Sequence, residues 1–394
     1  MRVSPNGQRS PGSFTDLTVT VRDRITGSFD DVTVRSFVPD PLPDTVSLSP
    51  EVVRLSEEAT HQLGTLNAEA RRSPFGDRLV WPFVRLEAVS SSRIEGTASS
   101  FEDLMRFEQQ TMFDEDARGR HDEAEVLAYV RALEYIWTQP RDRQITLSYI
   151  REIHQILMEP SNELITDPGR FRRRAVYIGG SSIKQASFVP PPPALVPSLL
   201  ADLETTIARN RTIPRLALIA MTHYQFETIH PFNDGNGRTG RLLILLQLRK
   251  SGLLDVPTLH ISRAIESSKQ TYIDMLTSVR RNGAWDDLIA YLVDTFAVEA
   301  GRSVREISEM TELFEAWLPI LRSARGDTGR NAIISVITEP VFSISSLARR
   351  LNIQFNSAKR LVQLLEQAGV VLQSSEGSRN RRYIAPAVLQ VYGR

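Results

Sequence analysis

The sequence contains no cysteine. Disulfides, thiolate nucleophiles and cysteine metal ligands are therefore excluded. Lysine is nearly missing as well: Lys184, Lys250, Lys269 and Lys359 are the only four, so arginine carries almost all of the positive charge. This reads as a coding bias and not as a chain-wide nucleic-acid role. Neither sign of charge is in excess, with 47 basic and 47 acidic residues. No apolar run approaches the roughly 18 residues that a membrane span needs. The longest, Leu242 to Leu248, is interrupted by Gln247. The first residues, Met1-Arg2-Val3-Ser4-Pro5, lack the apolar stretch of a secretory signal, and the cytoplasm is the expected location.

What the chain does have is a globular composition: 394 residues, 41% hydrophobic and 24% charged. Those values exclude a disordered tail, a collagen-like repeat and a small disulfide scaffold. At roughly 150 residues per domain, two or three domains are expected. Charge is unevenly spread. Residues 331–394 hold eight Lys/Arg against three glutamates, a balance of +5, which leaves −5 for residues 1–330. A basic module on an acidic body is the implied arrangement.

Residues 1–50 are rich in Pro, Ser, Thr and Asp, with brief alternation at Thr18–Val21 and Val32–Val34, and read as a short hairpin or extended arm. From about Ser49 to Arg325 the apolar spacing is mostly helical. Helices are expected over 50–71, 79–95, 100–111, 121–138, 146–158, 194–209, 214–229, 238–251, 266–281 and 285–300. Residues 172–190 break the pattern and read as two strands, Arg174–Ile178 and Ala186–Val189, around a glycine-rich turn. Pro190 to Pro193 end that hairpin. Residues 323–330 read as a linker. Beyond them, 331–394 resemble a winged helix-turn-helix, with helices over 331–338, 344–351 (capped by Ser343) and 356–368, and wing strands at 370–373 and 382–384.

The chemistry concentrates in His230-Pro231-Phe232-Asn233-Asp234-Gly235-Asn236-Gly237-Arg238-Thr239-Gly240-Arg241. His230 falls at the end of a helix opened by Pro214. The Gly-Asn-Gly turn lets backbone amides converge, and a buried helix starting at Arg238 holds that turn firmly. A rigid helix N-terminus behind such a turn is an anion site. Arg238 and Arg241, three apart, share a face and suit a polyphosphate. Asp234 beside them makes sense with a hard cation such as Mg²⁺ between it and the phosphates. His230, with a reference pKa near 6.5, can take a proton from a hydroxyl. Together these residues form a phosphoryl- or nucleotidyl-transfer site.

The same segment is similar to the signature of the Fic family, His-x-Phe-x-(Asp/Glu)-Gly-Asn-Gly-Arg-x-x-Arg, at all eight defined positions. The resemblance implies a mainly α fold: a helical Fic domain over 76–322 with a β-hairpin flap at 172–190, an N-terminal arm and helix over 1–75, and the winged helix-turn-helix. It implies transfer of AMP from Mg·ATP to a Ser, Thr or Tyr hydroxyl of a protein target, with self-modification among the targets and a homodimer as a compatible state. His230 is then the base and Asp234 the metal ligand. Asn233, Gly235, Asn236 and Gly237 cradle the nucleotide, while Arg238 and Arg241 bind its β and γ end. Tyr272 is either part of the nucleotide pocket or a packed helix residue.

Ser91-Ser92-Arg93-Ile94-Glu95-Gly96 matches the family's inhibitory pattern, (Ser/Thr)-x-x-x-Glu-(Gly/Asn), in a helix over about 83–96. Gly96 reads as a C′ cap, placing Glu95 in the last turn against the negative end of the helix dipole. A cationic partner for Glu95 is therefore expected, and the resemblance names Arg241. Ser91 lies one turn earlier on the same face. The rival readings are a phosphocholine or phosphate transfer on the same scaffold, and a DNA-binding regulator with the Fic domain as nucleotide sensor. The 331–394 module is expected to bind either DNA or protein. The remaining histidines, among them His154 and His223, read as structural.

Overall fold

The computed structural model describes residues 10–22, 28–111, 121–161, 166–322, 324, 326–374 and 381–393. Fifteen α-helices dominate these residues, with a two-stranded and a three-stranded sheet. The Cα framework divides into two compact units: residues 1–59, 131–253 and 265–295 form the first, and 60–130, 254–264 and 296–394 the second.

The first unit opens with an antiparallel hairpin, β1 (Gly12–Arg22) and β2 (Phe29–Pro39), each strand 11 residues long. The register pairs Leu17 with Val34 and Val19 with Val32. The alternation at 18–21 and 32–34 is the middle of a longer ladder. Its base is anchored, because the Phe37 amide donates to the Val189 carbonyl (3.0 Å) and Ser36 Oγ to that of Pro190 (2.7 Å). The core is built from α5 (Leu147–Leu157), α6 (Val196–Arg209), α7 (Arg215–Ile229) and α8 (Asn236–Ser251). Thr146 caps α5, its Oγ accepting from the Tyr149 amide. Leu242 to Leu248 are all buried, so α8 is apolar around its whole circumference. It meets α7 closely: a β carbon at Gly240 would collide with Glu227 Oε1.

The two strands expected at 174–189 are not formed. A single antiparallel bridge joins Ile178 to Phe188, around a 3₁₀ turn at Ile183–Gln185. Gly179 and Gly180, at φ +70° and +79°, turn the chain before a ladder can extend. The helix expected over 266–281 is two: α9 (Ile261–Ser267) and α10 (Lys269–Asn282), interrupted at Ser268.

The second unit contains α2 (Val80–Ile94) and α3 (Phe101–Thr111). Helix α11 (Trp285–Trp317) enters it and runs 17 residues past the expected end at 300, burying Ile307, Met310, Phe314 and Trp317 at helical spacing. The chain continues through α12 (Thr328–Thr338), α13 (Ile344–Leu351), α14 (Phe355–Gln367) and α15 (Pro386–Tyr392). Helix α12 begins inside the expected linker, of which residues 323 and 325 lie outside the described set. Ser343 and Ser346 form a capping box at the start of α13, as the serine spacing predicts. The sheet has strand order β3-β5-β4, with β3 Val341–Ser343, β4 Leu372–Gln373 and β5 Arg382–Ile384. Strand β3 has no counterpart in the expected elements, and β4 is shorter than 370–373.

Candidate active site

Helix α7 ends on His230, which adopts the left-handed conformation (φ +49°, ψ +62°) while its amide donates to the Phe226 carbonyl at 2.9 Å. A non-glycine residue in that region turns the chain sharply and persists only where the surroundings fix it. Arg172 does the fixing. Its Nε donates to the His230 carbonyl (2.8 Å), Nη2 to those of Pro191 (2.7 Å) and Ile229 (3.3 Å), and Nη1 to that of Arg174 (3.2 Å). The Arg172 amide adds a bond to the Pro231 carbonyl at 2.9 Å. This side chain is buried, and burial lowers its pKa to about 10, which leaves it a cation at neutral pH. A positive charge at the carbonyl end of α7 also complements the helix dipole.

The loop after His230 is closed by Asn236. Its Oδ1 accepts from the Phe232 amide (2.8 Å) and its Nδ2 donates to the Phe232 carbonyl (3.0 Å). Both ends of the Asn236 amide thus hold the loop's backbone. Gly235 is the N-cap of α8 at φ +72°, and a β carbon there would meet Met158 Sδ at 2.5 Å. Helix α8 therefore begins at Asn236, two residues before the expected start, and Gly237 lies in its first turn. Thr239 ties that turn down, its Oγ1 donating to the Gly235 carbonyl at 2.7 Å. The first-turn amides of an α-helix have no partner within it, so this end can receive an anion.

Beneath the loop lies His154 of α5, fully buried and stacked on Phe232 with ring centroids 3.6 Å apart. Its Nδ1 accepts from the Gly169 amide (2.9 Å), which leaves Nε2 to donate to the Asp234 carbonyl (3.0 Å). Burial is the main cause that lowers its pKa to about 4, so the ring is neutral with its proton on Nε2. Behind α8, His223 contacts the Gly240 carbonyl (3.3 Å) through Nδ1 and the Tyr272 hydroxyl (2.8 Å) through Nε2, and burial lowers its pKa to about 3. Tyr272 is itself buried and pairs with that imidazole. Sequence reasoning missed what His154 and Arg172 do, since their partners are backbone groups far along the chain.

Arg238 and Arg241 are both buried, at 3% and 1% exposure, and Arg238 Nη2 lies 3.7 Å from Met158 Sδ. Asn233 is half-buried and Asp234 exposed. Asp234 Oδ1 accepts from the Gly235 amide at 2.6 Å. Among the described residues no group of three or more His, Asp or Glu side chains could hold a metal ion. A lone exposed carboxylate at an anion-receiving helix end fits Mg²⁺, which takes one or two carboxylates and completes its shell with phosphates and water.

In the second unit, α2 ends as expected on a glycine. Gly96 (φ +111°) donates to the Arg93 carbonyl and Thr97 to that of Ser92, a Schellman closure with Glu95 as C-cap. Ser91 is buried and Glu95 exposed.

Residues 144–248 match the Fic/DOC family model and 53–137 the model of the family's N-terminal region. Residues 144–248 are thus a Fic/DOC domain, preceded by the family's N-terminal region. A probable protein adenylyltransferase of Aquifex aeolicus is 39% identical over 89 residues, covering 23% of this chain and 26% of that protein. The protein adenylyltransferase Fic of Aedes aegypti is 33% identical over 141 residues, covering 35% of this chain and 26% of that one. The chain thus spans about a quarter of the length of these relatives. A crystal structure of a Fic family protein from Desulfovibrio desulfuricans superposes over 87% of this chain and 98% of its own, with a TM-score of 0.58 at 20% identity, a likeness of fold. The Fic match contains the whole of His230–Arg241 together with His154 and Arg172. No helix among the described residues is long and apolar enough to cross a membrane.

Proposed function

We propose that the protein is an adenylyltransferase that moves AMP from ATP to a Ser, Thr or Tyr hydroxyl of a protein, its own chain included. The observation that carries this reading is the junction of α7 and α8: a left-handed His230 at one helix end and a glycine-capped helix start with two arginines at the other, five residues on. The hydroxyl oxygen attacks the α-phosphorus. The bond from that phosphorus to the β-phosphate oxygen breaks, pyrophosphate leaves, and the hydroxyl proton passes to His230. The α8 amides and Arg238 and Arg241 receive the phosphate charge, which is where most of the acceleration in such transfers arises. Asp234 would hold Mg²⁺, which when bound supplies further neutralisation of that charge. Asn236 acts through Phe232, keeping the loop shaped for the phosphates.

Glu95 is the brake in this reading. Its carboxylate and the γ-phosphate compete for Arg241, so wild-type transfer is slow. Similarity to protein adenylyltransferases supports AMP as the transferred group. Incubation with α-labelled ATP and Mg²⁺, followed by intact-mass measurement, tests it: AMP, phosphocholine and phosphate add different masses, and an unlabelled protein sinks the reading. Helices α12–α14 with the β3-β5-β4 sheet support a winged helix-turn-helix that recruits a partner. Salt-dependent retardation of duplex DNA would assign it to DNA, and its absence to a protein partner.

A further inference from the structure

The segment closed by the single bridge between Ile178 and Phe188 has little of its own to hold its shape. Its outer arm is open to solvent, with Tyr177 41% and Ile178 37% exposed. Strand pairing this short is marginal in water, so the course of residues 187–191 has to be set by neighbours. Two of those neighbours belong to β2. The Phe37 amide donates to the Val189 carbonyl at 3.0 Å, and Ser36 Oγ to that of Pro190 at 2.7 Å. Arg172 takes the next carbonyl, that of Pro191, at 2.7 Å. The Arg280 guanidinium of α10 lies 3.8 Å from the Phe188 ring centroid. The Phe37 ring meets that of Phe188 with centroids 6.5 Å apart.

The base of the hairpin is itself fixed to helices of the first unit. Where β1 begins, Ser10 Oγ donates to the Arg280 carbonyl at 2.7 Å. Where β2 ends, Gln225 Nε2 of α7 donates to the Asp40 carbonyl at 2.9 Å. Helix α7 runs on from Gln225 to His230, and Arg172 joins the His230 carbonyl to that of Pro191. These contacts close a ring: α7, the end of β2, Val189 to Pro191, Arg172, His230 and α7 again. Ser36 and Phe37, both fully buried, are its links between the hairpin and residues 187–191.

The Ile178 amide and carbonyl both face Phe188, so those of Tyr177 face the other way, where a target segment can pair as an added strand. We propose that, in the transfer reading on which this rests, the N-terminal hairpin belongs to the target-docking apparatus. Ser36 and Phe37 are positioning residues that hold the Tyr177–Ile178 edge in a fixed place relative to His230. The phosphates are received at the start of α8, outside the ring. Loss of a link should therefore disturb where the hydroxyl arrives and not how ATP binds.

The test uses the full-length protein and two substitutions at the hairpin base. Ser36→Ala removes one hydrogen bond and leaves the Pro190 carbonyl without it; Phe37→Leu keeps the backbone bond but takes the ring away from Phe188. Hydrogen exchange reads positioning without any chemistry. The Ile178 and Phe188 amides, which neither substitution removes or caps, should exchange about fivefold or more faster, while amides inside α8 keep the wild-type rate. The second readout is the fate of each α-labelled ATP consumed. Its AMP goes either to a protein hydroxyl or to water, with pyrophosphate released in both cases. The fraction that ends on protein should fall by about fivefold or more at unchanged ATP affinity, whereas a loss of folded protein would lower both products together. Thr18→Ala breaks the Thr18–Thr33 hydroxyl pair (3.0 Å) farther up the hairpin and should alter neither readout. Unchanged exchange in both base variants would overturn the proposal, as would an unchanged fraction on protein or an equal effect from Thr18→Ala. Absence of any AMP transfer by the wild-type chain, with exchange altered as expected, would sink the transfer reading and leave the hairpin's hold on 187–191 in place.

Discussion

His154 donates from Nε2 to the backbone carbonyl of Asp234, at 3.0 Å across 80 residues of sequence. The Gly169 amide fixes the tautomer from the other side of the ring. His154 is a positioning residue: it holds the loop between the base and the anion site without facing the reactants. His154→Ala strands one amide and one carbonyl and opens a hole beside Phe232, and should cost about 2–4 kcal/mol of stability. AMP transfer should fall further than ATP affinity, because ATP binds mainly through α8. Transfer kinetics beside calorimetry would separate the two, and equal losses would reduce His154 to a packing residue.

The same imidazole makes stability depend on pH. Its folded pKa of about 4 lies below the ordinary value near 6.5, so between those limits the unfolded chain takes up a proton that the folded chain refuses. Stability should therefore fall as pH drops from about 6.5 towards 4, with a slope of up to about 1.4 kcal/mol per pH unit for each such histidine. His223, whose pKa burial lowers to about 3, adds to this over the same window. Thermal melts from pH 7 to 4 should show a shallower decline for His154→Ala than for wild type. Parallel curves would mean that His154 is protonated in the folded state.

Arg172 offers a second test of how the base is held. Its guanidinium binds four carbonyls at the end of α7 and the segment beside it. Lysine would keep the charge but cannot reach four acceptors from one nitrogen. Arg172→Lys should lower the transfer rate by about tenfold or more while leaving nucleotide affinity near wild type, since the lost bonds place His230 and not the phosphates. A variant weakened equally in both would show that Arg172 supports the whole site.

How much of this was legible beforehand differs by kind of feature. The α7–α8 hairpin was, because α8 is apolar all round and the motif between the two helices is dense in constrained residues. The extension of α11 was also available: Ile307, Met310, Phe314 and Trp317 keep helical spacing beyond Gly301, which the glycine obscured. His154 and Arg172 were not. Their partners are carbonyls and amides that every residue carries, brought near by folding, and no side-chain pattern encodes them. Strand β3 was hidden for a similar reason. Three residues, Val341 to Ser343, carry no period, and only pairing with β5 makes them a strand. The flap failed in the opposite direction, since alternation at 174–189 suggested a ladder that Gly179 and Gly180 cut to one bridge.

Within the motif, the base and the metal ligand should separate cleanly. His230→Ala should lower transfer by about 10²–10⁴-fold and leave ATP binding largely intact, because the base acts on the nucleophile. Asp234→Ala should instead weaken the Mg²⁺-dependent part of ATP binding, as the exposed carboxylate beside the α8 amides is the one acid in the motif. Titration calorimetry with and without Mg²⁺ reads this directly. Equal ATP affinity of the Asp234 variant and wild type in Mg²⁺ would remove Asp234 from that role.

Glu95 carries the sharpest prediction. It is the C-cap of α2, where a carboxylate faces the negative end of the helix dipole, a locally unfavourable place for an acid. In the proposed brake that disadvantage is offset by Arg241, and the γ-phosphate wants the same guanidinium. Glu95→Gly should therefore raise automodification with α-labelled ATP substantially above wild type. The substitution costs at most about 1 kcal/mol of helix propensity, and less at a cap than in a helix interior, so the fold should survive it. Arg241→Ala must not reproduce the gain, because it removes a phosphate ligand along with the anchor of the brake. One contact thus predicts opposite signs from its two ends. If folded Glu95→Gly labels itself only at the wild-type level, the segment Ser91–Gly96 is a helix terminus closed by a glycine and nothing more.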